Sequence, residues 1–168
     1  MLILTFCGNM LFAQEGRCPK IPETYEWLTP EDYIKDQDLV KKTLRWLCNT
    51  PLGIDVRQRS LANTYVMEWL AGTPTMQIEI KTNQLSFYES QPDLLFCYIH
   101  GIALYKIDKP NTVDPIVEMT KGLETIAELV LQSEELSKDS SLRPILKAYK
   151  KKKLKEYSKE ICQPKKKK

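Results

Sequence analysis

From Leu94 to Leu104 every residue except His100 and Gly101 is apolar or aromatic. A helix drawn through residues 92–108 has no polar face, and a helix that is apolar all round is buried on all sides. The run is shorter than the roughly 20 residues that cross a bilayer. It therefore predicts the central helix of a soluble core, with Leu94, Leu95, Ile99, Ile102 and Ala103 nearly fully buried. Gly101 and Ala103 carry little side chain, so a second helix can approach closely there.

The flanking segments carry helical spacing of their own. Thr29-Pro30-Glu31-Asp32 predicts a helix start, and Asp36 offers a second one. Leu39, Val40, Leu44 and Leu47 recur every three or four residues until Pro51 stops the helix. Asp55 is a candidate cap for the next helix. Its stripe is Leu61, Ala62, Tyr65, Val66, Trp69 and Leu70, with Arg57, Arg59, Asn63 and Glu68 off the stripe; Gly72 and Pro74 end it. Thr112 and Asp114 can start a further helix, with Ile116, Met119, Leu123, Ile126, Ala127, Val130 and Leu131 inside. After a polar break at residues 134–141, a last helix is expected from Ser141 to about Ile161. Its inner side is Leu142, Ile145, Leu146, Tyr149, Leu154, Tyr157 and Ile161.

Only residues 75–91 depart from this period. Met76, Ile78 and Ile80 alternate with polar residues, and Leu85 and Phe87 alternate again, which is strand spacing. The stretch is too short for a sheet of its own, so an extended or hairpin-like connector lying on the helices is expected. The predicted fold is all-α: a single-domain bundle of about five helices over residues 14–162, around the central helix at 92–108. No internal repeat and no long Pro/Gly/Ser linker divides it.

The N-terminus changes the picture of compartment. Residues 1–13 carry no charged side chain and end in Ala13. They resemble a secretory signal peptide cleaved after Ala13, although the usual basic residue ahead of the apolar core is missing. Export, to the periplasm or medium, is the expectation; an N-terminal core segment of a cytosolic protein is the alternative. Removing this segment leaves Cys18, Cys48, Cys97 and Cys162, an even number that permits two disulfides. Position favours Cys48–Cys97 in the body and Cys18–Cys162 between the two ends. The alternative is four free thiols. With one histidine and no closely spaced cysteines, no zinc pattern is present.

Charge is unevenly spread. Residues 138–168 hold 13 Lys or Arg against 3 Asp or Glu, a net of +10, while residues 1–137 carry −7. Lys150, Lys151, Lys152 and Lys153 form one basic run, and residues 165–168 form a second, expected as a disordered tail over 163–168. The first run is a candidate contact for an anionic surface; the alternative is a solvated helix face. Nucleic acid is not an expected partner, since no fold motif for it occurs.

Catalytic patterns are missing. No Gly-x-Ser-x-Gly turn, Gly-rich phosphate loop or calcium loop occurs, and no cofactor is called for. His100 reads as a core histidine, with a pocket around it as the alternative. Cys97 lies three residues before His100, the spacing that seeds a Cys–His nucleophile pair on one helix face; a disulfide or buried thiol is the plainer use. Trp27, Trp46 and Trp69 read as core aromatics. The run Cys97-Tyr98-Ile99-His100-Gly101 resembles the cysteine-containing helix of small exported helical bundles, including bacterial immunity proteins that neutralise cell-wall-directed toxins. The likeness spans those five residues and assigns no site. The functional expectation is a non-catalytic binding or interaction module of the cell envelope, meeting another envelope protein or an anionic surface. The alternative is an enzyme or small-ligand carrier with a pocket at His100.

Overall fold

The computed structural model describes residues 16–110 and 113–163. The expected signal segment, 1–13, and the basic run 165–168 lie outside the described residues. Among the described residues there are six α-helices: α1 (Pro30–Asn49), α2 (Val56–Gly72), α3 (Leu94–Asp108), α4 (Pro115–Val130), α5 (Arg143–Lys150) and α6 (Leu154–Cys162). No strand occurs among the described residues, and the all-α expectation holds.

Helix α3 divides the interior into two apolar clusters. Val40, Leu44, Leu47, Ala62, Val66 and Trp69 from α1 and α2 gather on one side, joined by Ala103 of α3. Cys97, Tyr98 and Ile102 of α3 join Leu123, Ile126, Val130, Ile145 and Leu154 on the other. A helix that walls off two cores needs apolar residues on both faces, which explains its all-round apolar sequence. Leu94, Ile99, Ile102 and Ala103 are buried, as expected. Leu95 is only half-buried and Phe96 is 41% exposed, so the start of α3 reaches the surface. The centre is also shared, because α4 touches α1, α3, α5 and α6.

Two glycines let α3 and α4 approach. A methyl group on Gly101 would lie 2.7 Å from the Lys121 carbonyl oxygen and collide with Thr125 Oγ1. One on Gly122 would lie 2.9 Å from the Tyr98 carbonyl oxygen and collide with one edge of the Tyr98 ring. The partly buried ion pair Lys106–Glu118, at 2.6 Å, ties the same helices at one end.

Local chemistry sets the helix ends. Helix α1 starts at Pro30, where the Asp32 carboxylate accepts from the Thr29 amide (2.9 Å) and Thr29 hydroxyl (2.9 Å). These bonds, the amide first, hold the Asp32 carboxyl below its usual range. Asp36 opens no second helix. It sits mid-α1 and accepts from Trp27 Nε1 (2.9 Å) and the Tyr65 hydroxyl (3.3 Å). Those bonds pin the lead-in, residues 16–28, within an aromatic cluster of Tyr25, Trp27, Tyr33, Tyr65 and Trp69. Asp55 occupies the cap position of α2, but with left-handed backbone (φ 50°) and no side-chain cap. Asp114 does cap α4, accepting from the Ile116 and Val117 amides.

The connector takes the extended alternative, and one segment differs from expectation. Residues 75–91 form no hairpin; a single 3-10 turn at Thr82–Gln84 interrupts an irregular connector. Its period of two survives as burial, since Met76, Ile78, Ile80, Leu85 and Phe87 face the helices while their neighbours are exposed or nearly so. The last helix is broken in two, and the break falls on Lys151, Lys152 and Lys153.

Candidate functional site

Helix α2 packs mainly on α1, and a cleft of about 510 Å³ remains between α2 and α3. Val56, Asn63, Met67 and Glu68 of α2 face Asp93, Phe96 and Cys97 at the start of α3, with Arg59 and Leu52 also lining the cleft. Val56 on one lip is 64% exposed. A second cleft, about 670 Å³, runs along the other side of α2 and includes Arg17, Cys18 and Tyr25 of the lead-in.

Arg59 is the residue this region is built on, and it is buried (8% exposed). Its guanidinium donates to the Leu47 carbonyl at 3.2 Å and to the Thr50 carbonyl. It also lies 5.7 Å from the centre of the Trp46 ring. The last carbonyls of a helix have no intrahelical donor and carry partial negative charge. Arg59 thus closes the C-terminus of α1 from the neighbouring helix. Its Nε finds no partner. The apolar-stripe reading placed Arg59 outside the buried face. The signal was present, since residues 59, 62, 66 and 69 follow a three- and four-residue step along one face of α2.

Behind Arg59 lie Cys48, Cys97 and His100. Burial pushes the Cys48 thiol up to about 12, with nearby Cys97 adding to the effect, and burial pushes the Cys97 thiol up to about 11. Burial, with a smaller push from the Arg59 cation, lowers His100 to about 3, so the ring is neutral at physiological pH. Both ring nitrogens are buried without a hydrogen-bond partner. The Cys97–His100 spacing therefore yields no hydrogen-bonded thiol–imidazole pair, and neither cleft is lined by His100.

The four described cysteines are free, which corrects the disulfide expectation. Cys48 and Cys97 share the layer beside Arg59 as protonated thiols. Cys18 and Cys162 cannot tie the ends together because they belong to different clusters. Cys18 packs against the α1–α2 side, whereas Cys162 Sγ lies 3.5 Å from Met119 Sδ on the other. Among the described residues no group of three or more His, Cys, Asp or Glu is placed to hold a metal ion. No described helix is long and apolar enough to cross a membrane.

Lys150, Lys151, Lys152 and Lys153 are all exposed at the corner between α5 and α6 and line neither cleft. No family, no curated protein and no solved structure matches the chain.

Proposed function

We propose that the protein is a non-catalytic interaction module, exported to the cell envelope, that takes an apolar side chain of a partner protein into the α2–α3 cleft. The observation that carries this reading is the composition of the cleft's lips. Exposed Val56 and Phe96 line the cleft from opposite helices, and exposed Glu68 and Asp93 line the same cleft. An apolar residue flanked by Lys or Arg is the segment that complements such a rim. The protonated thiol of Cys97 and the neutral, unpartnered ring of His100 support binding over nucleophilic chemistry.

A photo-crosslinking residue at Phe96 tests this in cells. The control is Leu131 at the end of α4, which is 39% exposed against 41% for Phe96. One discrete protein adduct is expected from position 96 and none from 131. Glu68→Lys with Asp93→Lys should abolish it. Equal adducts from both positions, or no effect of charge reversal, would overturn the reading. Export is tested separately: protein from the envelope should begin at Gln14, and an intact Met1 there would refute cleavage after Ala13.

One observation favours the second reading, a ligand carrier or enzyme at His100. Unpartnered buried ring nitrogens are uncommon and call for an explanation. In that case His100→Phe should abolish binding of a small polar ligand while the Phe96 adduct persists.

A further inference from the structure

Apolar spacing along residues 142–161 predicts one helix, yet the chain turns a corner at the lysines. The corner is a Schellman cap. The Lys153 amide donates to the Ala148 carbonyl at 2.8 Å, and the Lys152 amide donates to the Tyr149 carbonyl at 2.9 Å. This cap puts Lys152 in the left-handed region, at φ 55°. Glycine is the usual residue there, because a Cβ is strained in that conformation. Lys152 and Asp55 are the only non-glycine residues with positive φ among the described residues.

Like charges crowd this corner. Lys147 and Lys150 in the last turn of α5 suit the helix dipole there, whereas Lys153 and Lys155 lie at the start of α6, where the dipole favours acids. Among the described residues, none of Lys147, Lys150, Lys151, Lys152, Lys153 and Lys155 forms an ion pair. Buried Leu146, Ala148 and Leu154 hold the corner onto the body, so the ammonium groups are presented from a fixed frame. A strained backbone and uncompensated like charge at one spot point to a use outside folding.

We infer that the α5–α6 corner is a docking surface for an anionic lipid bilayer, and that Lys152 is kept in place of glycine for its charge. No residue of this region lines either cleft. A turn with four successive exposed lysines suits a plane of mobile headgroups, which can gather beneath it. None of the large exposed apolar residues lies between 143 and 162, so the contact is electrostatic and involves no insertion.

The full chain is tested by co-sedimentation with vesicles of equimolar phosphatidylglycerol and phosphatidylcholine, and with pure phosphatidylcholine vesicles. Binding is expected to the first only, and to weaken steeply with salt. Lys152→Gln should weaken partitioning about fivefold, with the melting temperature unchanged. Lys152→Gly should weaken it equally and melt at or above the wild type, by up to about 2–4 °C. The basic C-terminal end stays in every variant, so the difference reads the corner alone. Unchanged partitioning of both variants would overturn the proposal, as would equal binding to pure phosphatidylcholine. A Lys152→Gly protein melting below wild type would overturn the strain argument. Displacement by soluble heparin at charge concentrations far below those of the lipid would assign the corner to polyanionic glycan instead.

Discussion

Gly101→Ala is the sharpest perturbation of the α3–α4 contact. In an exposed helix this change stabilises by roughly 1 kcal/mol, because alanine is the better helix former. Here the added methyl would meet the Lys121 carbonyl oxygen at 2.7 Å and the Thr125 side chain. Ordinary separation is about 3.5 Å, so the helices must part by roughly 0.8 Å. The carbonyl belongs to the backbone of α4 and cannot rotate away. Interiors are close-packed, so parting at one point loosens contacts along the whole interface. Overpacking costs about 1–3 kcal/mol, and a collision with fixed backbone belongs in the upper half of that range, about 2–3 kcal/mol. Set against the helix-propensity gain, a net loss of about 1–2 kcal/mol is expected. For a domain of this size that lowers the melting temperature by about 2–8 °C, measurable by circular dichroism. Gly122→Ala should behave alike. The double variant should cost less than the sum, since one separation relieves both collisions. Gly72→Ala is the internal control, because there the methyl meets only the half-exposed side chain of Tyr33. A Gly101→Ala protein as stable as wild type would refute the close approach itself.

Three further outcomes follow from the same region. Arg59→Met leaves the Leu47 and Thr50 carbonyls without their charged donor and should cost about 2–3 kcal/mol in urea unfolding, with Arg59→Lys recovering only part. His100 is lowered to about 3 from an unfolded value near 6.5, so the unfolded chain binds the extra proton between those values. Its contribution is therefore full above about pH 6.5 and is lost as pH falls towards 3, with a limiting slope of about 1.4 kcal/mol per unit; His100→Phe should flatten that dependence. The thiols of Cys48 and Cys97 should resist alkylation at neutral pH in the native state and react fully in urea, and rapid native labelling would contradict their burial.

Most of the helical plan was legible because burial and spacing agree. The stripe of α1 reappears as a buried face, that of α4 does so from Met119 to Val130 with Leu131 exposed, and Asp114 caps where it should. The connector at 75–91 shows the limit of such reading. Alternation reports which side chains are covered, and a lone segment lying on helices alternates without pairing into a sheet. Asp36 misled for a different reason: a carboxylate that reads as a cap in sequence can equally accept from donors distant along the chain, here Trp27 and Tyr65. The corner at Lys152 left one trace, the five-residue step from Tyr149 to Leu154, longer than a helical stripe allows. Arg59 left one too, in its place three residues before Ala62. The free thiols had none, since pairing depends on which cluster each cysteine joins.

The wall formed by α3 has a consequence for the order in which the molecule is made. Synthesis delivers α1 and α2 first, with Val40, Leu44, Leu47 and Val66 in a cluster that Ala103, Leu104 and Ile107 of α3 complete. More than twenty residues separate Gly72 from Leu94, and at about 5–20 residues per second they take seconds to emerge. Through that interval the first cluster lies open on one side. Once α3 arrives, it carries a second apolar face with the same need, met only by α4 and the helices behind it. Neither half of the chain can finish alone, so the domain commits to its structure late and as one piece.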